Sequence, residues 1–162
     1  MKNKDIEVRE VRYEDLDFLF NLRNQQYVYR YSHRQRRITY REFMEWITPI
    51  LRGESKSLAY LVLYQGEKSG QLRFDGSDLG EDVREIGICV LQKYWGEGIA
   101  SSSIRQGLDL MRQKGIRKIL ARIRAENTAS LHLFEKLDFK EISAEEAYKT
   151  FEYQLEGNGR NE

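Results

Sequence analysis

The sequence predicts an α+β domain built on one mixed sheet. Three observations carry that prediction. Strand-like alternation comes in consecutive segments, which favours antiparallel hairpins. A strand–helix–strand unit over residues 83–123 favours a parallel pair joined by a right-handed crossover. At 162 residues the chain is about one domain long and can bury one sizeable core. The expected architecture is a sheet of about six to seven strands flanked by about four helices. A single domain is expected over residues 1–156, with 157–162, GNGRNE, as a flexible tail.

The elements follow from local pattern. IEVREV alternates apolar and polar residues, a half-buried strand. In YEDLDFLFNLRN, Leu16, Leu19, Phe20 and Arg23 fall at helical spacing behind the capping candidates Glu14 and Asp15. QQYVYRYSHRQRR, residues 25–37, has no clear period. Thr39 with Glu42 three residues on forms a capping box for a helix carrying Phe43, Trp46, Ile47 and Ile50, which Pro49 should kink or end. LAYLVLYQ is an apolar strand, QGEKSG a hairpin turn, GQLRFD its partner and GSDLGED a polar loop. VREIGICVL is the next strand, and GEGIASSSIRQGLDLMRQKG a helix with Ile99, Ile104, Leu108 and Met111 on one side. IRKILARI is a strand, Asn127 caps a helix bearing Leu131, Phe134 and Leu137, and the chain closes with two strands around an acidic turn.

Composition excludes several function classes. Lys and Arg total 27 against 26 Asp and Glu, a net charge of +1, which argues against binding nucleic acid by bulk charge. The 40% hydrophobic and 12% aromatic content argues against disorder. Cys89 is the lone cysteine, so an intrachain disulfide is ruled out, and with two histidines there is little from which to build a zinc site. No metal is expected. MKNKDIEVRE lacks the apolar stretch of a signal peptide, and no apolar run is long enough to span a bilayer. The expectation is a soluble cytoplasmic protein, monomer or homodimer, with neither membrane nor nucleic acid as partner.

Chemistry concentrates in VREIGICVLQKYWGEGIASSSIRQ. A strand runs into a glycine-containing turn that opens a helix. Gly96 and Gly98 leave the backbone open to a ligand, and Ala100 and Ser101 continue the small-residue surface. Unpaired N–H groups and the helix dipole suit a phosphate or pyrophosphate there. The spacing is neither a Walker loop nor a complete G-x-G-x-x-G, and the motif falls too late in the chain for a Rossmann unit. The motif alone is equally compatible with a plain strand-to-helix turn.

In its context this stretch resembles the central motif of the GNAT N-acetyltransferases, [RQ]-x-x-G-x-[GA]. Trp95-Gly96-Glu97-Gly98-Ile99-Ala100 carries the match, with Trp95 where Arg or Gln is usual. AENTASLHLFEKLDF resembles the family's second signature, with Asn127, Ser130, Phe134, Leu137 and Phe139 in its places. The resemblance spans essentially the whole chain and is specific for fold and donor, not for acceptor. It implies the GNAT fold and acetyl-CoA as co-substrate. Residues 96–101 (Gly96, Glu97, Gly98, Ile99, Ala100 and Ser101) would hold its pyrophosphate. Strand residues from Ile88 through Cys89, Val90 and Leu91 would contact pantetheine in a gap beside the next strand. A backbone N–H near Cys89 or Val90 would polarise the thioester carbonyl. Asn127 and Ser130 would contact the pantetheine arm or cap the helix, and Phe134 would be a further cofactor contact.

Acetyl transfer needs a neutral amine. Alternation puts Glu85 on one face with Gly87 and Cys89, on the strand that reaches the thioester, so Glu85 is the first candidate base and Asp75 the second. Phe134 stands where many family members have a Tyr acid and cannot donate a proton. A thiol of pKa about 8.5 leaves adequately without that help. Asp138 replaces the usual Gly, which questions the left-handed turn there. Cys89, alone in an apolar strand, reads as a buried thiol, so direct transfer is expected rather than an acyl-cysteine.

The acceptor should meet residues 23–40 and the 75–82 loop, with Arg23, Asn24, Arg30 and Tyr31 as candidate contacts. Arginines suit phosphate and aromatics suit sugars or bases. The pattern RN…S…IT…F…W with GQLRFD and EIGI is similar to members that acetylate nucleotide-linked amino sugars. YWGEGIA and AENTAS are similar to members that acetylate N-terminal amines of ribosomal proteins. A small-molecule amine on a nucleotide sugar is the favoured acceptor. The alternatives are a protein N-terminus or other small amine, and a CoA-binding module without efficient catalysis.

Overall fold

The computed structural model describes residues 5–155, so the expected tail at 157–162 lies outside the described residues. Seven strands form one sheet in the order β1-β2-β3-β4-β5-β7-β6. In chain order, β1 (Ile6–Glu10) leads to α1 (Leu16–Arg23), α2 (Gln26–Tyr29) and α3 (Tyr40–Leu51). The meander β2 (Leu58–Tyr64), β3 (Glu67–Ser77) and β4 (Gly80–Val90) follows. Then come α4 (Ile99–Gln113), β5 (Lys118–Arg124), α5 (Thr128–Lys136), β6 (Lys140–Ala144) and β7 (Tyr148–Gln154). Every neighbouring pair is antiparallel except β4–β5, which is parallel across the α4 crossover.

Two expectations about this region change. The unperiodic segment contains the short helix α2. Both hairpins of the meander are tighter than the sequence suggests: the β2–β3 turn is Gln65–Gly66, both at positive φ, and the β3–β4 hairpin lengthens because β3 runs to Ser77 and β4 starts at Gly80. Pairing with neighbours carries polar residues such as Asp82 into strand, where propensity alone predicts loop. The Arg84 guanidinium, 9% exposed, ties the turn end of the β3–β4 hairpin to the segment before β2 through the carbonyls of Glu81, Val83 and Lys56.

Each sheet face has its own core. On one face Leu16 and Leu19 of α1, Phe43 and Ile47 of α3 and Ala59 and Leu61 of β2 pack together. Leu19, Ile47 and Leu61 are fully buried, each contributing about 1.5–3 kcal/mol. On the other face Ile104, Leu108 and Met111 of α4 cover Leu72, Phe74, Ile86 and Ile119. Thr39 and Glu42 form the expected capping box of α3, and Pro49 sits in its last turn without breaking it.

A buried carboxylate fixes the entry to α1. Asp15 is fully buried and receives Arg9 through two hydrogen bonds of 2.9 and 3.1 Å, the Arg12 N–H at 2.8 Å and Lys68 at 3.1 Å. Burial alone would raise its pKa, but Arg9, the Arg12 N–H and Lys68 outweigh it and pull it below the ordinary value. Its contribution is therefore complete above about pH 3.9, the unfolded value, and is lost as pH falls through the folded-state pKa. Asp15→Asn should cost about 3 kcal/mol in urea unfolding at pH 7. The gap between wild type and variant should close on acidification.

Candidate active site

The site begins where the parallel pair comes apart. Strands β4 and β5 are in register only at Val83–Lys118, Arg84–Ile119 and Glu85–Leu120. Beyond Glu85 both strands continue, β4 to Val90 and β5 to Arg124, without pairing to each other. A wedge-shaped gap opens with Glu85 at its vertex. Ile88, Cys89, Val90 and Leu91 lie along its β4 side.

At the open end, Gly96 and Gly98 have φ of +89° and +78°, and a Cβ built on either meets nothing within 4 Å. Gly98 is the N-cap of α4 in the left-handed conformation. The first helical bond runs from the Ser102 N–H to the Gly98 carbonyl, so the N–H groups of Ile99, Ala100 and Ser101 precede the helical ladder. This cradle fits a pyrophosphate: it is open, free of side chains and at the positive end of a 15-residue helix. Trp95 braces the turn. Its indole N–H donates to the Val90 carbonyl at 3.0 Å, and its ring meets Tyr27 edge-on at 5.3 Å. Glu97 accepts a hydrogen bond from the Tyr64 hydroxyl at 3.2 Å.

The acetyltransferase (GNAT) domain family matches residues 5–140, a span that holds the glycine cradle, the β4–β5 gap and α5. The chain is a member of the GNAT family. It is 26% identical over 102 residues to an uncharacterized N-acetyltransferase p20 of Bacillus licheniformis, a match covering 62% of this chain and 57% of that protein. The chain thus spans little more than half that relative's length. Among solved structures, a spermidine N-acetyltransferase of Vibrio cholerae in complex with CoA and spermine superposes with a TM-score of 0.81 at 20% identity, covering 94% of this chain and 97% of the other. A ribosomal L7/L12 alpha-N-protein acetyltransferase, RimL, in complex with CoA gives 0.81 at 18% identity and 98% of both chains. These two likenesses show the shared fold.

Against this GNAT frame, Asn127 caps α5 by accepting the Ser130 N–H at 3.3 Å. Phe134 is 3% exposed and packs edge-on against Phe139 with ring centroids 4.9 Å apart, so its ring belongs to the core. Asp138 adopts the left-handed turn at φ +71°, and the next N–H, of Phe139, closes back on the Phe134 carbonyl at 3.0 Å. The turn geometry is kept without glycine because Asp tolerates it.

Residues 25–37 strap the far side of the gap. The Tyr27 hydroxyl accepts the Gln92 N–H at 3.1 Å, beyond the end of β4. Arg124, at the end of β5, donates to the carbonyls of Ser32 and His33, both at 3.1 Å. The strap thereby brings His33 to the vertex, with Nε2 3.8 Å from Glu85 and Nδ1 3.0 Å from the Tyr148 hydroxyl. His33 lowers the Glu85 pKa; burial opposes it, and Arg73 and Arg122 add to the lowering. Nothing in the sequence pattern linked His33 to Glu85.

The proposed acceptor contacts divide. Asn24 is 8% exposed and clamps Ile38, accepting its N–H at 2.8 Å and donating to its carbonyl at 3.1 Å, so it closes the base of the strap instead of facing an acceptor. Arg30 lies over the Tyr31 ring at 4.8 Å on the exposed side. Arg34 and Arg36 fold back onto Glu42 at 2.6 and 2.8 Å, and Arg36 leads in holding Glu42 down to about 2. Arg23 stacks on Trp46 at 5.5 Å, within electrostatic reach of Arg73, Cys89 and Asp75. Asp75 accepts Arg73 Nε at 2.9 Å. Burial pushes the Cys89 thiol up, against the pull of Arg23 and Arg73, which disfavours a thiolate nucleophile. Past Glu85 a groove of about 400 Å³ runs between Ser77, Leu79, Leu120, Arg122 and Thr150.

No group of three or more potential metal ligands is found among the described residues. No described helix is long and apolar enough to cross a membrane.

Proposed function

We propose that this chain is an acetyl-CoA-dependent N-acetyltransferase that moves acetyl directly to a primary amine of a nucleotide-linked amino sugar. The observation that carries the reading is the vertex: the β4–β5 gap closes at Glu85, with the glycine cradle at its other end. Pyrophosphate on the cradle and pantetheine along Ile88–Leu91 direct the thioester toward that vertex. Glu85 takes a proton from the ammonium, directly or through water. The amine nitrogen then attacks the thioester carbonyl carbon, and a backbone N–H near Cys89 or Val90 steadies the oxyanion. The C–S bond breaks, the sulfur leaves as thiolate since Phe134 offers no proton, and the nitrogen gives up its extra proton to water to leave the amide.

The acceptor follows from charge. Arg73 and Arg122 act on Glu85, Arg23 lies within reach of Asp75, and Arg122 and Arg124 stack on Tyr148 beside His33. Such a surface repels a polyamine and attracts an amine that also carries phosphate. The test is CoA release from acetyl-CoA over nucleotide amino sugars, peptides with free N-termini, and spermidine. Turnover is expected to be fastest with the nucleotide amino sugars. Preference for peptides would move the reading to the protein N-terminus, and CoA binding without turnover on any amine would remove the enzyme reading.

A further inference from the structure

We propose that Arg23 and Arg73 form an anion subsite beside Glu85, so that the acceptor carries its amine and its negative group only a few bonds apart. The proposal deepens the acetyl-transfer reading and rests on it. Its geometry starts from β3, where Gln71, Arg73 and Asp75 alternate onto one face. By register they lie opposite Cys89, Gly87 and Glu85.

Arg73 leans across β4. A Cβ built on Gly87 would lie 2.0 Å from Arg73 Nη1 and 2.3 Å from Cζ, so any larger residue at 87 would displace the guanidinium. Asp75 holds only the Nε. The two Nη groups have no hydrogen-bond partner among the described residues. They lie over the strand residue two positions past Glu85, a separation of about 6.6 Å along β4. That span suits an amine and a phosphate on neighbouring or nearby sugar carbons.

Arg23 supplies a second cation. It has no carboxylate ion-pair partner among the described residues, and its neighbours are the Trp46 face and Arg73. Three guanidiniums, Arg23, Arg73 and Arg122, thus meet two carboxylates, Asp75 and Glu85. In a region of lowered dielectric that imbalance favours a bound anion, and two guanidinium forks match phosphate oxygens. The same floor offers acceptors for hydroxyls: Gln71 Oε1 and Asp75 Oδ1 are buried with no hydrogen-bond partner. A phosphorylated, hydroxyl-bearing amine satisfies both sets.

The test is calorimetry of glucosamine 1-phosphate and glucosamine on the CoA-saturated protein, so that the glycine cradle is already filled. Wild type should bind the phosphorylated probe at least tenfold tighter. Arg73→Gln and, with the charge retained, Gly87→Ala should each cut that preference below threefold while leaving glucosamine affinity within twofold. Arg73→Lys, which keeps the charge but loses the fork, should fall between. A preference equal in wild type and variants, or absent in wild type, would overturn the subsite. Acetyl transfer is followed separately on the same samples. Its failure with the preference intact would remove the enzyme reading and leave the anion subsite standing. If CoA does not bind, the same titrations on the CoA-free protein decide the subsite.

Discussion

Gly98→Asp should lower CoA affinity roughly a hundredfold, or by about 2.8 kcal/mol, while the protein stays folded. Two effects act together. Gly98 caps α4 at φ +78°, so a side chain there meets backbone strain of about 1–2 kcal/mol, less for Asp than for most residues. The built Cβ points into open space, so nothing in the protein is displaced. The new carboxylate then stands where the cradle is to receive a pyrophosphate, and like charges repel. Gly98→Asn separates the two, because it has nearly the same shape without the charge. Fluorescence of Trp95, which braces this turn, reads the binding, and thermal melting reads the fold. Equal losses for Asp and Asn would assign the effect to the backbone. Unchanged affinity in both would remove the basis for placing the donor at this turn.

Glu85→Gln should lower kcat about a hundredfold, the ordinary scale for loss of a general base. The loss should be largest at low pH. His33 lowers the Glu85 pKa despite burial, so the wild-type carboxylate stays ionised through the mildly acidic range. It can therefore accept a proton from a bound ammonium where free amine is scarce. The variant has to wait for free amine, so its kcat/KM should fall tenfold per pH unit below the amine pKa. A loss of equal size at every pH would instead assign Glu85 to anchoring the strap through His33.

Local pattern made most of the elements legible. The capping box at Thr39, the cap at Asn127 and the glycine turn are all readings of a few adjacent residues, and the structure places them so. What depended on register was hidden. The Arg73–Gly87 contact requires knowing that these two residues face each other across β3 and β4. The Glu85–His33 approach joins residues 52 apart, brought together by the Arg124 bonds to the strap and by the Tyr148 hydroxyl. Asn24 misled for a related reason. Its place beside Arg23 suggested an acceptor contact, but both ends of its amide are taken by Ile38, fourteen residues on. Arg34 and Arg36, close in sequence to the expected contacts Arg30 and Tyr31, are taken up by Glu42.

The separation of β4 from β5 beyond Glu85 gives this sheet two edges in its interior as well as the outer pair at β1 and β6. Exposed edges invite other strands, and proteins usually blunt them. These two are protected by access instead. The strap stitches the tips of both strands from one side, through Tyr27 to Gln92 and through Ser32 and His33 to Arg124. A recess bounded this way excludes the broad face of a foreign sheet yet admits a single slender chain with amide groups of its own. With pantetheine placed there as proposed, the same few hydrogen bonds would both limit strand addition and leave room for the ligand.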